Sequence, residues 1–171
     1  MAKFFLVGYM GSGKSTIGKQ LAAKLKYDFI DLDSLIETDY HMSINEIFAT
    51  KGEAEFRGME HNTLKKVLEK NNVVVACGGG TPCYYDNMEL MNRNGITIYI
   101  KMSTDTLISR LSQAKNSRPL LENKTEDELR TFVASQLERR EDTYHQAHYV
   151  VKGKDLNVTE LAKFIKEQVG V

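Results

Sequence analysis

Residues 3–16, KFFLVGYMGSGKST, constrain the fold more than any other stretch. A short, mostly apolar run (3–7) meets a glycine-rich turn, and an amphipathic pattern, KSTIGKQLAAKL, starts at Lys14. Strand, tight turn and helix in direct succession open a βα unit, which commits the next strand to run parallel. Within that unit Gly8, Gly13, Lys14 and Ser15 match the phosphate-binding pattern G-x-x-x-x-G-K-[ST]. The glycines let backbone N–H groups turn inward around an anion, and the helix that follows presents its positive end to it. Lys14 is placed to reach β- and γ-phosphates, and the Ser15 hydroxyl is a ligand for Mg²⁺. Gly11, Ser12 and Thr16 complete the nucleotide-binding loop. Nucleotide binding follows from this stretch; the reaction does not.

The rest of the chain repeats the alternation. Strand patterns occupy 3–7, 28–31, 73–77, 96–101 and 149–151, and their continuous apolar character predicts strands buried on both faces. Helical patterns lie at 14–25, 34–40, 43–50, 53–70, 84–93, 104–113, 125–146 and 157–168. Capping pairs mark three starts: Ser43 with Glu46, Thr125 with Glu128, and Asn157 with Glu160. Five strands interleaved with helices predict an α/β fold around a mainly parallel sheet, and 171 residues without linker or repeat predict one domain. Residues 112–124, SQAKNSRPLLENK, are polar and broken by Pro119, and read as a mobile loop. Lys+Arg and Asp+Glu number 23 each, so no bulk attraction draws the chain to nucleic acid or an anionic membrane. With two cysteines and no stretch for a leader or membrane span, the expected setting is the reducing cytoplasm. A monomer is the default expectation.

Several later stretches bear on what the loop serves. FIDLD leaves Asp31 and Asp33 at the carboxyl end of the second strand, two apart and so pointing the same way. One can serve the Mg²⁺ shell through water and the other an attacking hydroxyl; the bland alternative is that Asp33 caps the helix SLIE. In GEAEFRGME, the residues Glu53, Arg57 and Glu60 share one helix face, which by itself reads as a solvated ion-pair stripe. VVVACGGGTP brings Gly78, Gly79 and Gly80 to the carboxyl end of a buried strand, and three glycines suggest close approach of a ligand to the main chain. The apolar stripe Leu129, Val133, Leu137 continues to Arg140 and Tyr144, so Arg140 points inward and requires an anionic partner, protein or ligand. Arg118, in SRPLL, is either a free surface charge or a lid arginine closing over phosphates. No D-x-x-G occurs, and NKTE at 123–126 is not a guanine-reading N-K-x-D, which removes both supports for a GTPase switch.

Taken in order and at their spacing, GYMGSGKST, FIDLDSLIE, GEAEFRGME, ACGGG, RPLL and REDTY resemble the shikimate kinase family over nearly the whole chain. The resemblance implies a P-loop NTPase-type three-layer fold with a five-stranded parallel sheet in the order 2-3-1-4-5. It implies ATP and Mg²⁺ as donor and cofactor, and the 3-hydroxyl of shikimate as acceptor, a step toward chorismate and the aromatic amino acids. Asp33 would bind shikimate hydroxyls, Asp31 would hold Mg²⁺ through water, and Arg57 and Arg140 would grip the carboxylate within a shikimate-binding region spanning 32–62. Gly79 and Gly80 would add backbone donors, Arg118 would be the catalytic lid arginine on the phosphates, and Arg110 would lie against adenine. Gluconate-type kinases, or a catalytically silent nucleotide-binding relative, are the competing readings. The chain departs from the family pattern at Asp142, where proline is common, and at His148, where aspartate is; both changes are expected beside Arg140.

Overall fold

The computed structural model describes residues 1–113 and 121–171. Five strands, β1 (Lys3–Val7), β2 (Asp28–Asp31), β3 (Val73–Ala76), β4 (Ile96–Lys101) and β5 (Tyr149–Lys152), form one sheet. Its order is β2-β3-β1-β4-β5, and every pair is parallel. Parallel neighbours need crossovers, and among the described residues eight α-helices are available to cover the faces. These are α1 (Lys14–Leu25), α2 (Leu32–Tyr40), α3 (Ile44–Lys51), α4 (Glu53–Leu68), α5 (Asn87–Asn94), α6 (Thr104–Gln113), α7 (Glu126–Tyr144) and α8 (Val158–Val169).

The central strands are buried on both faces, as their apolar runs predict: Phe4, Phe5, Leu6 and Val7 of β1 and Val74 and Val75 of β3 have no exposed surface. Alternate residues feed two apolar layers. Phe4 and Leu6 pack with Leu21 of α1 and Ile165 of α8, whereas Phe5 and Val7 pack with Leu32, Leu64, Leu129 and Tyr144. Each large apolar side chain buried this way contributes about 1.5–3 kcal/mol. The edge strands correct the expectation of burial on both faces: β2 is half-buried at best, and β5 alternates between half-buried and exposed.

Other boundaries shift for local reasons. The helical pattern at 84–93 starts late: a short 3₁₀ turn, Thr81–Cys83, precedes it, Tyr84 is extended, and the helix begins only at Asn87. Helix α2 begins at Leu32, because the Asp31 side chain accepts a hydrogen bond from the Ser34 N–H and caps it. The capping boxes at Ser43 and Thr125 both form, and Asn157 caps α8 by accepting from Thr159 and Glu160.

From β1 the chain moves to one side for β2 and β3, and then crosses to the other side for β4 and β5. The loops after β1 and β3 therefore flank the crevice where the winding reverses, at the carboxyl ends of the strands, where open α/β sheets bind ligands.

Candidate active site

The loop after β1 turns through left-handed glycines, with φ of 80° at Gly11 and 85° at Gly13. Gly13 is also the N-cap of α1 and offers no side-chain acceptor, so the first-turn N–H groups of α1 have no side-chain cap. Lys14 is buried, and its ammonium donates to the carbonyls of Gly8 (2.6 Å) and Tyr9 (2.9 Å) and to Ser12 Oγ (3.4 Å). A cleft of about 330 Å³ opens over this loop, lined by Gly11, Gly13, Lys14, Ser15 and Thr16 on one side and Asp31, Asp33, Gly78 and Gly79 on the other. Arg110 of α6 lines it as well and donates to the Gly11 carbonyl at 3.3 Å.

Both aspartates reach the cleft, by different routes from the one expected. Asp31 ends β2, and its carboxylate is divided: Oδ1 caps α2, and Oδ2 accepts from Ser15 Oγ at 2.5 Å. Asp33 lies in the first turn of α2, so strand alternation is not what aims it, and the helix cap is Asp31 rather than Asp33.

The stripe Glu53, Arg57, Glu60 is the largest departure from expectation. Its ion pairs form, but the stripe is not solvated: Arg57 is 8% exposed and Glu60 is fully buried. Arg57 donates from Nη1 to Glu60 at 3.1 Å and from Nη2 to Glu53 at 3.2 Å, and lies against the Tyr84 ring. The face holds Phe56, Met59, Leu64 and Val67 as well, and packing them inward carries the two charged residues with them. Burial is the main influence on Glu60 and lifts its carboxyl above the ordinary range, although Arg57 and Thr81 oppose it. Burial would also raise Glu53, but hydrogen bonds from Tyr84 and Arg57 with the charges of Arg57 and Arg140 carry it below the ordinary range. A chain of polar contacts runs outward from Glu60. Thr81 donates to it at 2.8 Å, Asn87 donates to the Thr81 carbonyl at 2.8 Å, and His61 meets Asn87 at 2.6 Å.

The three glycines make room chiefly for the protein's own groups. A Cβ on Gly78 would lie 3.0 Å from Asp33 and 3.2 Å from Glu60; on Gly79, 3.2 Å from the Met10 nitrogen and 3.5 Å from Arg140; on Gly80, 2.6 Å from both Nη atoms of Arg57. One turn thus lets both arginines and both carboxylates converge on the phosphate loop. Tyr144 fastens it, its phenol donating to the Gly79 carbonyl at 2.5 Å. Burial raises that phenol's pKa, so it stays a donor.

Arg140 continues the stripe of α7, half-buried beside Gly79 and over the Tyr9 ring at 5.9 Å. It forms no salt bridge among the described residues. Its neighbour Arg139 points outward to solvent. His148 is not beside Arg140: its Nδ1 accepts from the Thr97 N–H at 3.2 Å, near the amino end of β4, away from the cleft. Asp142 is exposed on α7. Arg118 and most of the expected lid fall outside the described residues.

A phosphate loop, two carboxylates beside it and two arginines behind a glycine turn define a P-loop kinase acting on a small anionic acceptor. A sequence model of the shikimate kinase family matches residues 10–169. The shikimate kinase of Bacteroides thetaiotaomicron is 48% identical over 156 residues, covering 91% of this chain and 89% of that one. A crystal structure of shikimate kinase from the same organism superimposes with a TM-score of 0.92 at 43% identity, covering 99% of both chains. The Acinetobacter baumannii shikimate kinase, solved in complex with shikimate, gives 0.86 at 31% identity, covering 99% of this chain and 93% of that one. The chain belongs to the shikimate kinase family. That membership favours the shikimate reading over the gluconate-type and silent alternatives.

Thr81, Tyr84 and Asn87 carry no local sequence signal of their place in the site, and Glu60 reads from sequence only as a member of an ion-pair stripe. The signal for Glu60 was present: a carboxylate at i+3 from an arginine, between Met59 and Thr63 on an otherwise apolar face.

Proposed function

We propose that the chain transfers the γ-phosphoryl group of ATP to the 3-hydroxyl of shikimate, giving shikimate 3-phosphate and ADP. The observation that carries the acceptor side is Arg140: a half-buried arginine without a salt bridge among the described residues, beside the phosphate cleft. A guanidinium half withdrawn from water and without a salt bridge among the described residues suits an anion, and a carboxylate matches its fork of donors. Arg57, already held by Glu53 and Glu60, is the second and more constrained grip.

Such transition states are loose, so catalysis rests on positioning and charge neutralisation. Lys14 exchanges its carbonyl partners for phosphate oxygens, and the backbone from Gly11 to Thr16 cradles them. Asp33 accepts a hydrogen bond from the attacking hydroxyl and orients it. The Gly79 and Gly80 backbone supports the acceptor, Arg110 the adenine side, and Arg118 the phosphates in a lid spanning 112–124. The hydroxyl of Ser15 paired with the Asp31 carboxylate fits a hard cation that keeps most of its waters. Those two residues would hold Mg²⁺, which supplies neutralisation of phosphate charge. The reading includes a cytoplasmic, monomeric enzyme of aromatic amino acid synthesis with neither nucleic acid nor membrane as partner. No helix among the described residues is long and apolar enough to cross a membrane.

A coupled ADP-release assay with Mg·ATP and shikimate tests the proposal; turnover independent of shikimate would sink it. Asp33→Asn is expected to lose most of kcat, and Arg57→Ala to act mainly on the KM for shikimate.

A further inference from the structure

We infer that Tyr84 is a positioning residue for the acceptor's carboxylate, acting through Arg57; the inference rests on the reading of Arg57 as a carboxylate grip. Glu60 and Glu53 bind the two terminal nitrogens of Arg57 from separate directions. Hydrogen bonds from the edge of a planar cation fix its direction better than its tilt. The Tyr84 ring supplies the missing restraint, its centroid 4.1 Å from the guanidinium carbon. Its phenol donates at 3.0 Å to Glu53 Oε1, the same oxygen that Arg57 Nη2 uses. One side chain therefore both covers the arginine and holds the arginine's partner.

The backbone on either side of Tyr84 is anchored for this task. Thr81 is tied to Glu60, Asn87 is tied to the Thr81 carbonyl, and the 3₁₀ turn between them delivers Tyr84 in an extended conformation, φ −118° and ψ 149°. Glu53, Ala54, Arg57, Tyr84 and Tyr85 line a cavity of about 470 Å³ outside the turn. An aromatic face excludes water from the cation it covers, and strengthens that cation's attraction for an anion. Tyr84 is itself half-exposed and outside the two apolar layers, so a purely structural role would affect stability and leave substrate affinity alone.

The test is a steady-state comparison of Tyr84→Leu and Tyr84→Phe, each alone and in an Arg57→Ala background, with thermal melting of every variant. Tyr84→Leu keeps apolar bulk and loses the ring; the shikimate KM is expected to rise about 5- to 20-fold, with kcat and the KM for ATP held. Tyr84→Phe keeps the ring and loses the phenol, and should give a smaller rise, which preserves the test if the leucine variant melts early. In Arg57→Ala neither substitution should add further loss. An unchanged shikimate KM in both tyrosine variants, or a rise that persists in full without Arg57, overturns the inference and leaves the carboxylate reading of Arg57 standing. If Arg57→Ala itself leaves the shikimate KM unchanged, that reading fails and the role of Tyr84 fails with it.

Discussion

Gly80 has ordinary backbone angles, φ −92° and ψ −11°, so nothing in its conformation calls for glycine. What calls for it is Arg57, whose terminal nitrogens would both lie 2.6 Å from a Cβ at this position. Gly80→Ala should therefore fold and displace the guanidinium, raising the shikimate KM about tenfold or more while the KM for ATP holds. Steady-state kinetics with each substrate varied in turn would check it. Glu60 offers a second handle. Its carboxyl binds a proton more readily in the fold than in the unfolded chain, because burial disfavours the charge. A raised folded pKa contributes stability that is fully present below the unfolded value, about 4.3, and is lost as pH rises through the folded one. The melting temperature of wild type relative to Glu60→Gln should accordingly shift in favour of wild type as pH falls from 7 toward 4.

At the scale of elements, α7 carries Arg140 near its end and is started by a capping box at Thr125. Thr125→Ala removes that box, at a cost of about 1 kcal/mol, and should lower Tm by about 2–4 °C without altering either KM. The elements were legible wherever the information is local. Strand β1 and the turn after it are read from consecutive residues, and the inward aim of Arg140 from helical periodicity over Leu129, Val133 and Tyr144, all fully buried. What was not legible depends on partners distant in sequence. Glu53, Arg57 and Glu60 look like a solvated stripe until the turn at Gly78–Gly80 and Tyr84 close over them. Asp31 and Asp33 look like strand neighbours because Asp31 both ends β2 and caps α2, a change of element that alternation cannot register. The glycines look like space for a ligand because the arginines that fill much of that space lie on α4 and α7, far off in sequence.

Across the whole molecule, β1 supplies alternate residues to both apolar layers, so neither layer keeps its full lining if the other opens. Denaturant unfolding is expected to be one cooperative transition, with far-ultraviolet dichroism and tyrosine fluorescence superimposing; the chain has eight tyrosines and no tryptophan. The bare start of α1 at Gly13 has a practical corollary for anyone who handles the protein. A helix end lined with inward-facing amides accepts any tetrahedral oxyanion that fits, so sulfate or phosphate in a buffer competes with the donor nucleotide. Assays in such buffers will overstate the KM for ATP, and purification in them will yield a preparation whose thermal stability rises with the salt chosen.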